Sequence, residues 1–83
     1  MVGMKETKRV IKLKKIDLSK RGKGEDTCRH PDINPTKCYI VKYDDAEMIG
    51  HFEEEWYGWN FDWFGSSYAG LQLDCLDEVW EIV

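Results

Sequence analysis

From Tyr57 to Trp63 every second residue is aromatic: Tyr57, Trp59, Phe61 and Trp63, with Gly58, Asn60 and Asp62 between them. Successive side chains of a β-strand point to opposite faces, so this spacing sets four large rings on one face and small or polar groups on the other. On a helix the same rings would scatter around the circumference, and Gly58 would weaken it. The pattern predicts a strand with one buried face and one face in water. Six of the chain's aromatic residues crowd between Trp56 and Phe64, and each fully buried ring removes on the order of 150–250 Å² from water. The core is therefore expected to be built on this strand, with the strand central in its sheet. Trp56, at its start and on the opposite face, is the ring expected to stay partly exposed.

A chain of 83 residues fits a single domain, residues 1–83. It buries only about 60% of its unfolded surface, so help from self-association, a metal or disulfides matters. Cys28, Cys38 and Cys75 are odd in number, which predicts reduced thiols rather than a disulfide framework. A homodimer is the expected remedy, since strand edges also need covering. No apolar run approaches the ~20 residues of a membrane span, and no signal-peptide core follows the first methionine. The expectation is a cytoplasmic protein without membrane contact.

Taken in order, residues 1–8 read as a frayed terminus. The run Val10-Ile11-Lys12-Leu13-Lys14 reads as a first strand with Ile11 and Leu13 on one face, or as a short amphipathic helix. Residues 19–36 hold two glycines, three early cations and both prolines; they read as one long basic loop, mobile in its first part and too short of a phosphate-loop signature to be one. Residues 37–43 predict a second strand with Tyr39, Val41 and Tyr43 on one face. Asp44-Asp45 then turns the chain into a returning arm from Ala46 to Phe52, with Met48, Gly50 and Phe52 on one face and Ile49 and His51 on the other. Glu53-Glu54-Glu55 reads as an acidic corner, and residues 65–70 as a loop closed by glycines. Leu71-Gln72-Leu73-Asp74-Cys75 alternates, which predicts Leu71, Leu73 and Cys75 inward. The tail from Leu76 to Val83 fits strand or helix, and its β-branched and aromatic content favours a short strand. Five or six short strands and little helix give a mainly β fold: a small curved antiparallel sheet or an SH3-like barrel.

Chemistry-bearing groupings are few. Cys28, His30 and Cys38, with Cys75 or His51 as a fourth ligand, provide zinc-ligating residue types but not the usual knuckle spacing. Cys28 beside Arg29 and His30 has the residue types of an activated thiol without a positioned base. Paired carboxylates abound, yet a chain this short offers no cleft in which two would flank a glycosidic bond. The reading is of a protein that is not an enzyme and holds no cofactor or metal.

Charge is the stronger signal. Residues 1–43 carry all 12 lysines and arginines, while residues 44–83 carry no such cation and a charge of −11. Those acids are Asp44, Asp45, Glu47, Glu53, Glu54, Glu55, Asp62, Asp74, Asp77, Glu78 and Glu81. Carboxylates are rarely buried without partners, so most are expected on the surface. Same-face positions on a strand recur at about 6.6–6.8 Å, and a row of carboxylates at that scale offers a cationic groove something like a phosphate backbone.

The segment from Asp44 to Val83, dense in carboxylates and rich in Trp and Tyr, resembles small acidic bacteriophage early proteins of the DNA-mimic type. The resemblance is one of character and transfers no residue. It implies a non-enzymatic inhibitor acting in the host cytoplasm, whose acidic surface occupies a basic DNA-binding host protein such as a nucleoid protein, nuclease or polymerase. The alternative is a nucleic-acid-binding module that uses Lys12, Lys14, Lys15, Lys20, Arg21 and Lys23 together with the aromatic strand.

Overall fold

Asp44 and Asp45 both take positive φ, 51° and 66°, and so close a two-residue hairpin of the kind whose twist matches the strands it joins. In the computed structural model, which describes residues 11–65 and 70–83, this turn joins β2 (Cys38–Tyr43) to β3 (Ala46–Glu55). A second two-residue turn, Trp56-Tyr57, joins β3 to β4 (Gly58–Trp63). With β1 (Leu13–Lys15), β5 (Leu71–Gln72) and β6 (Glu78–Ile82), these strands form one six-stranded sheet in the order β1-β6-β2-β3-β4-β5. All neighbours run antiparallel. The fold is mainly β, and the sheet is open, with β1 and β5 at its edges.

The long strand β3 ties the sheet together. Its residues 46–51 pair with β2 and its residues 50–55 pair with β4, so only Gly50 and His51 are flanked on both sides. The centre is thus β2 and β3, not the aromatic strand, which has beyond it only the two residues of β5. Glu53, Glu54 and Glu55 are not a corner either. They complete β3, because each finds a partner on β4: Asn60, Trp59 and Gly58 respectively.

Alternation sorts the side chains as the sequence implies. Tyr39 and Val41 on β2, Phe52 on β3, Phe61 on β4 and Val79 on β6 all point to one face and are completely buried. Tyr39 meets Phe52 edge-on at 5.0 Å between ring centroids, and Phe52 meets Phe61 at 5.2 Å. Such pairs add about 0.5–1.5 kcal/mol each beyond the area they bury. Tyr57, Trp59 and Trp63 pack against this core from its rim. Trp56, at the hairpin turn, is 86% exposed.

Residues 16–36 roof the core face and do not stand off as a solvated loop. Ile16, Cys28, His30 and Ile33 are buried. Two 3-10 turns, Leu18–Lys20 and Gly24–Asp26, fold the segment. Its Cys28 carbonyl accepts the Trp59 N–H at 2.7 Å. That approach requires Gly58: its φ is 130°, and a Cβ there would lie 2.5 Å from the Cys28 oxygen.

The first strand is shorter and later than its sequence suggests, beginning at Leu13; Val10 and the expected frayed terminus lie outside the described residues, as do residues 66–69 of the glycine-closed loop. The alternation from Leu71 to Cys75 stops after Gln72. A 3-10 turn, Leu73–Cys75, follows, and with about three residues per turn it brings Leu73 and Leu76 to the same side. Both are buried there and Cys75 is exposed.

Candidate functional site

The eleven carboxylates of residues 44–83 do not share one face. Five gather where β2, β3 and β6 meet: Asp44 and Asp45 at the turn, Glu47 just after it, and Asp77 and Glu78 at the start of β6. The backbone knits this corner, since the Asp44 N–H donates to the Asp77 carboxylate at 3.0 Å and the Asp77 N–H donates to the Lys42 carbonyl at 2.8 Å. At the opposite end of β3 stand Glu53, Glu54 and Glu55, with Asp62 across from His51 on β4. Ten residues of β3 set these two ends about 30 Å apart, at about 3.4 Å per residue. Asp74 accepts the Thr27 hydroxyl at 2.9 Å on the covered side, and Glu81 stands between Lys14 and Tyr39 in the register.

Eight of the eleven are exposed, and Asp62, Glu78 and Glu81 are half-buried. Among the described residues one ion pair joins the basic and acidic halves, Lys15 to Glu78 at 3.7 Å. The other cation–carboxylate contacts lie within a half: Lys20 to Asp32, Arg29 to Asp26 and His51 to Glu53. Among the described residues the fold thus joins the two halves by a single ion pair, while the register sets Lys42 between Glu47 and Glu78 and Lys14 opposite Glu81.

His51, Glu53 and Asp62 form a titratable cluster, with one ligand atom from each lying within 4.8 Å of the others. Two positions apart on β3, His51 and Glu53 share a face, and Asp62 is the cross-strand partner of His51. Partial burial, and then the Glu53 carboxylate beside it, hold Asp62 above the usual carboxylate range, with His51 pulling the other way. These are the described side chains best placed to share a cation. The Cys28, His30 and Cys38 grouping, whose residue types but not spacing suit zinc, is not assembled. Cys28 and His30 are buried on the core side, whereas Cys38 is exposed on the other face. Both His30 nitrogens are engaged besides: Nε2 lies 2.7 Å from the Asp17 carbonyl, and Nδ1 accepts the Asp32 N–H at 3.0 Å. The Cys28 thiol is pushed up by burial, the reverse of what a nucleophile needs.

The basic candidates also divide. Lys14 and Lys15 lie on β1, at one edge of the sheet, and Lys12 just before it. Lys20, Arg21 and Lys23 lie in the roof, where Arg21 donates through Nε to the Leu18 carbonyl at 3.1 Å. Lys20 lines an open groove of about 520 Å³ with Arg29, His30 and Trp59, but Asp26 and Glu54 line it too. Of the strand's rings Phe61 is wholly buried, Trp59 and Trp63 are half-buried, and the Trp59 indole N–H donates to the His30 carbonyl at 3.3 Å. Arg29, which the sequence offers only as a neighbour of the Cys28 thiol, donates to the Trp56 carbonyl at 2.6 Å and ties the roof to the β3–β4 turn.

No helix of the described residues is long and apolar enough to cross a membrane. Compared with protein-family models, curated proteins and solved structures, the chain matches none.

Proposed function

We propose that this is a non-enzymatic interaction protein, acting in the cytoplasm, that presents its carboxylates to a basic DNA-binding protein in place of DNA. The observation that carries the reading is the exposure of the acidic half: eight exposed carboxylates, and among the described residues a single ion pair to the basic half. Exposed like charges repel one another and raise the local potential, and a cationic partner relieves both. The two acidic ends of β3 offer such a partner two points of contact on one rigid strand. Asp26 and Glu54 in the Lys20–Arg29 groove weaken the alternative of direct nucleic-acid binding, because each repels phosphate.

A pair of binding assays tests the proposal. The purified protein is expected not to retard DNA in a gel shift, and to release labelled DNA from a basic protein captured from nuclease-treated lysate. Release should weaken steeply as salt rises past physiological strength, where exposed charges are screened within about 8–10 Å. Reversing Glu53, Glu54 and Glu55 to Lys should slow association while the circular dichroism spectrum is unchanged. Direct retardation of DNA that falls on replacing Lys20, Arg21 and Lys23 by Ala would replace this proposal with the nucleic-acid-binding one.

A further inference from the structure

The face of the sheet away from the core is apolar along its middle. Trp80 of β6, Ile40 of β2 and Ile49 of β3 stand side by side in the register. The row continues to Phe64, whose N–H donates to the Ile49 carbonyl at 2.9 Å. Ile49 is 48% exposed and Phe64 54%. A contiguous apolar row on a sheet face is the kind of surface that proteins cover.

Read across the strands, the row is a near-palindrome: aromatic, isoleucine, isoleucine, aromatic. The next row toward the Asp44–Asp45 turn holds Lys42 on β2 directly opposite Glu47 on β3. A two-fold axis lying along the strands, between β2 and β3, exchanges the two sides of each row. It would set Ile40 against Ile49 of a second copy, Trp80 against Phe64, and Lys42 against Glu47. Over the Trp80–Phe64 row and the Lys42–Glu47 pair the surface is its own complement in shape class and charge, which is what an isologous interface requires; Glu78 beside Lys42 and Asp62 beside His51 fall outside this match. Sheets stacked this way keep their strands within about 30° of each other at about 10 Å separation.

We infer that a second copy of this chain covers this face, stacked sheet on sheet about that axis. The inference stands independently of what the acidic ends bind. It specifies more than a dimer, because it names which charges meet across the interface.

Sedimentation of the full chain tests it. The wild type is expected to be a dimer at about 100 µM, where an interface of micromolar affinity is saturated. Ile49→Asp, at an already exposed position, should raise the dimer dissociation constant about 30-fold or more, as loss of a central contact does. Lys42→Glu and Glu47→Lys should each be monomeric alone, since each places like charges across the axis. Mixed, the two variants should form a heterodimer, detected by native mass spectrometry from their mass difference. That rescue restores Lys–Glu pairs between copies while leaving the like-charged pair within each copy, so a purely intrachain effect does not produce it. A monomeric wild type, a dimer indifferent to Ile49→Asp, or variants that fail to rescue each other while folded by circular dichroism would each overturn the inference.

Discussion

The hydroxyl of Tyr39, at the end of a completely buried ring, accepts the backbone N–H of Asn34 at 2.9 Å. One side chain thus belongs both to the aromatic core and to the roof above it. Tyr39→Phe keeps the ring and removes the acceptor. The expected cost is about 0.5–1.5 kcal/mol, seen as a lower urea midpoint at unchanged slope. Phe61→Ala, which opens the same core, should cost about 3–5 kcal/mol, enough to unfold much of the population. Equal costs for the two would contradict the arrangement.

Asp62 titrates above the ordinary carboxylate range when folded. A group of this kind binds its proton more tightly in the folded state, so stability falls as pH rises from the unfolded value near 3.9 through the higher folded value. Asp62→Asn removes that penalty. The variant should be more stable than wild type at pH 7, and its advantage should vanish below about pH 3.9. Denaturant titrations across that range decide it; a variant no more stable at neutral pH counts against a carboxylate raised by its burial and by Glu53 beside it.

At the β2–β3 turn both aspartates occupy the left-handed region, which Asp tolerates and glycine occupies freely. Asp45→Gly is expected to add about 0.5–1 kcal/mol, or roughly 2–8 °C in melting temperature for a domain of this size. Partner binding should weaken slightly in the same protein, because one carboxylate of the tip is gone. Calorimetry and a competition assay read the two effects separately.

The three thiols should differ in rate toward a thiol reagent at neutral pH. Cys38 is exposed on the sheet's outer face and should react first at protein concentrations low enough to leave that face uncovered by a second copy. Cys75 is exposed as well, but partial burial and the neighbouring Asp74 push its thiol up, which slows it. Cys28, buried and pushed up by that burial, should react only as the protein opens. Mass-resolved labelling over time gives the order.

Local pattern carried much of this fold. The alternation around Phe61 marks β4, and Asp44-Asp45 between two apolar runs marks a hairpin and the faces of both its strands. What sequence could not supply is long-range. The insertion of β6 between β1 and β2 joins it to a strand some forty residues earlier and to another more than sixty residues earlier, and no periodicity announces it. Cys28, His30 and Ile33 fall in a stretch of turns, so nothing in their spacing shows that they roof a sheet. The site was half legible in the same way. His51 and Glu53 are visibly two apart, but Asp62 joins them only through the β3–β4 register, and the split of the acids between two ends follows from β3 extending through Glu55. That extension was obscured because three consecutive glutamates read as a turn when their cross-strand partners are unknown.

Because β3 alone runs from one acidic end of the molecule to the other, it acts as a ruler. The distance between Asp45 and Glu55 is set by a residue count, not by the packing of separate parts. Its graduations are also constrained by parity. Adding one residue to the middle of β3 would turn every later side chain to the opposite face, carrying Phe52 out of the core, whereas adding two would preserve the faces and lengthen the span by about 7 Å. A partner that touches both ends is therefore measured against a scale that evolution can change only in steps of two.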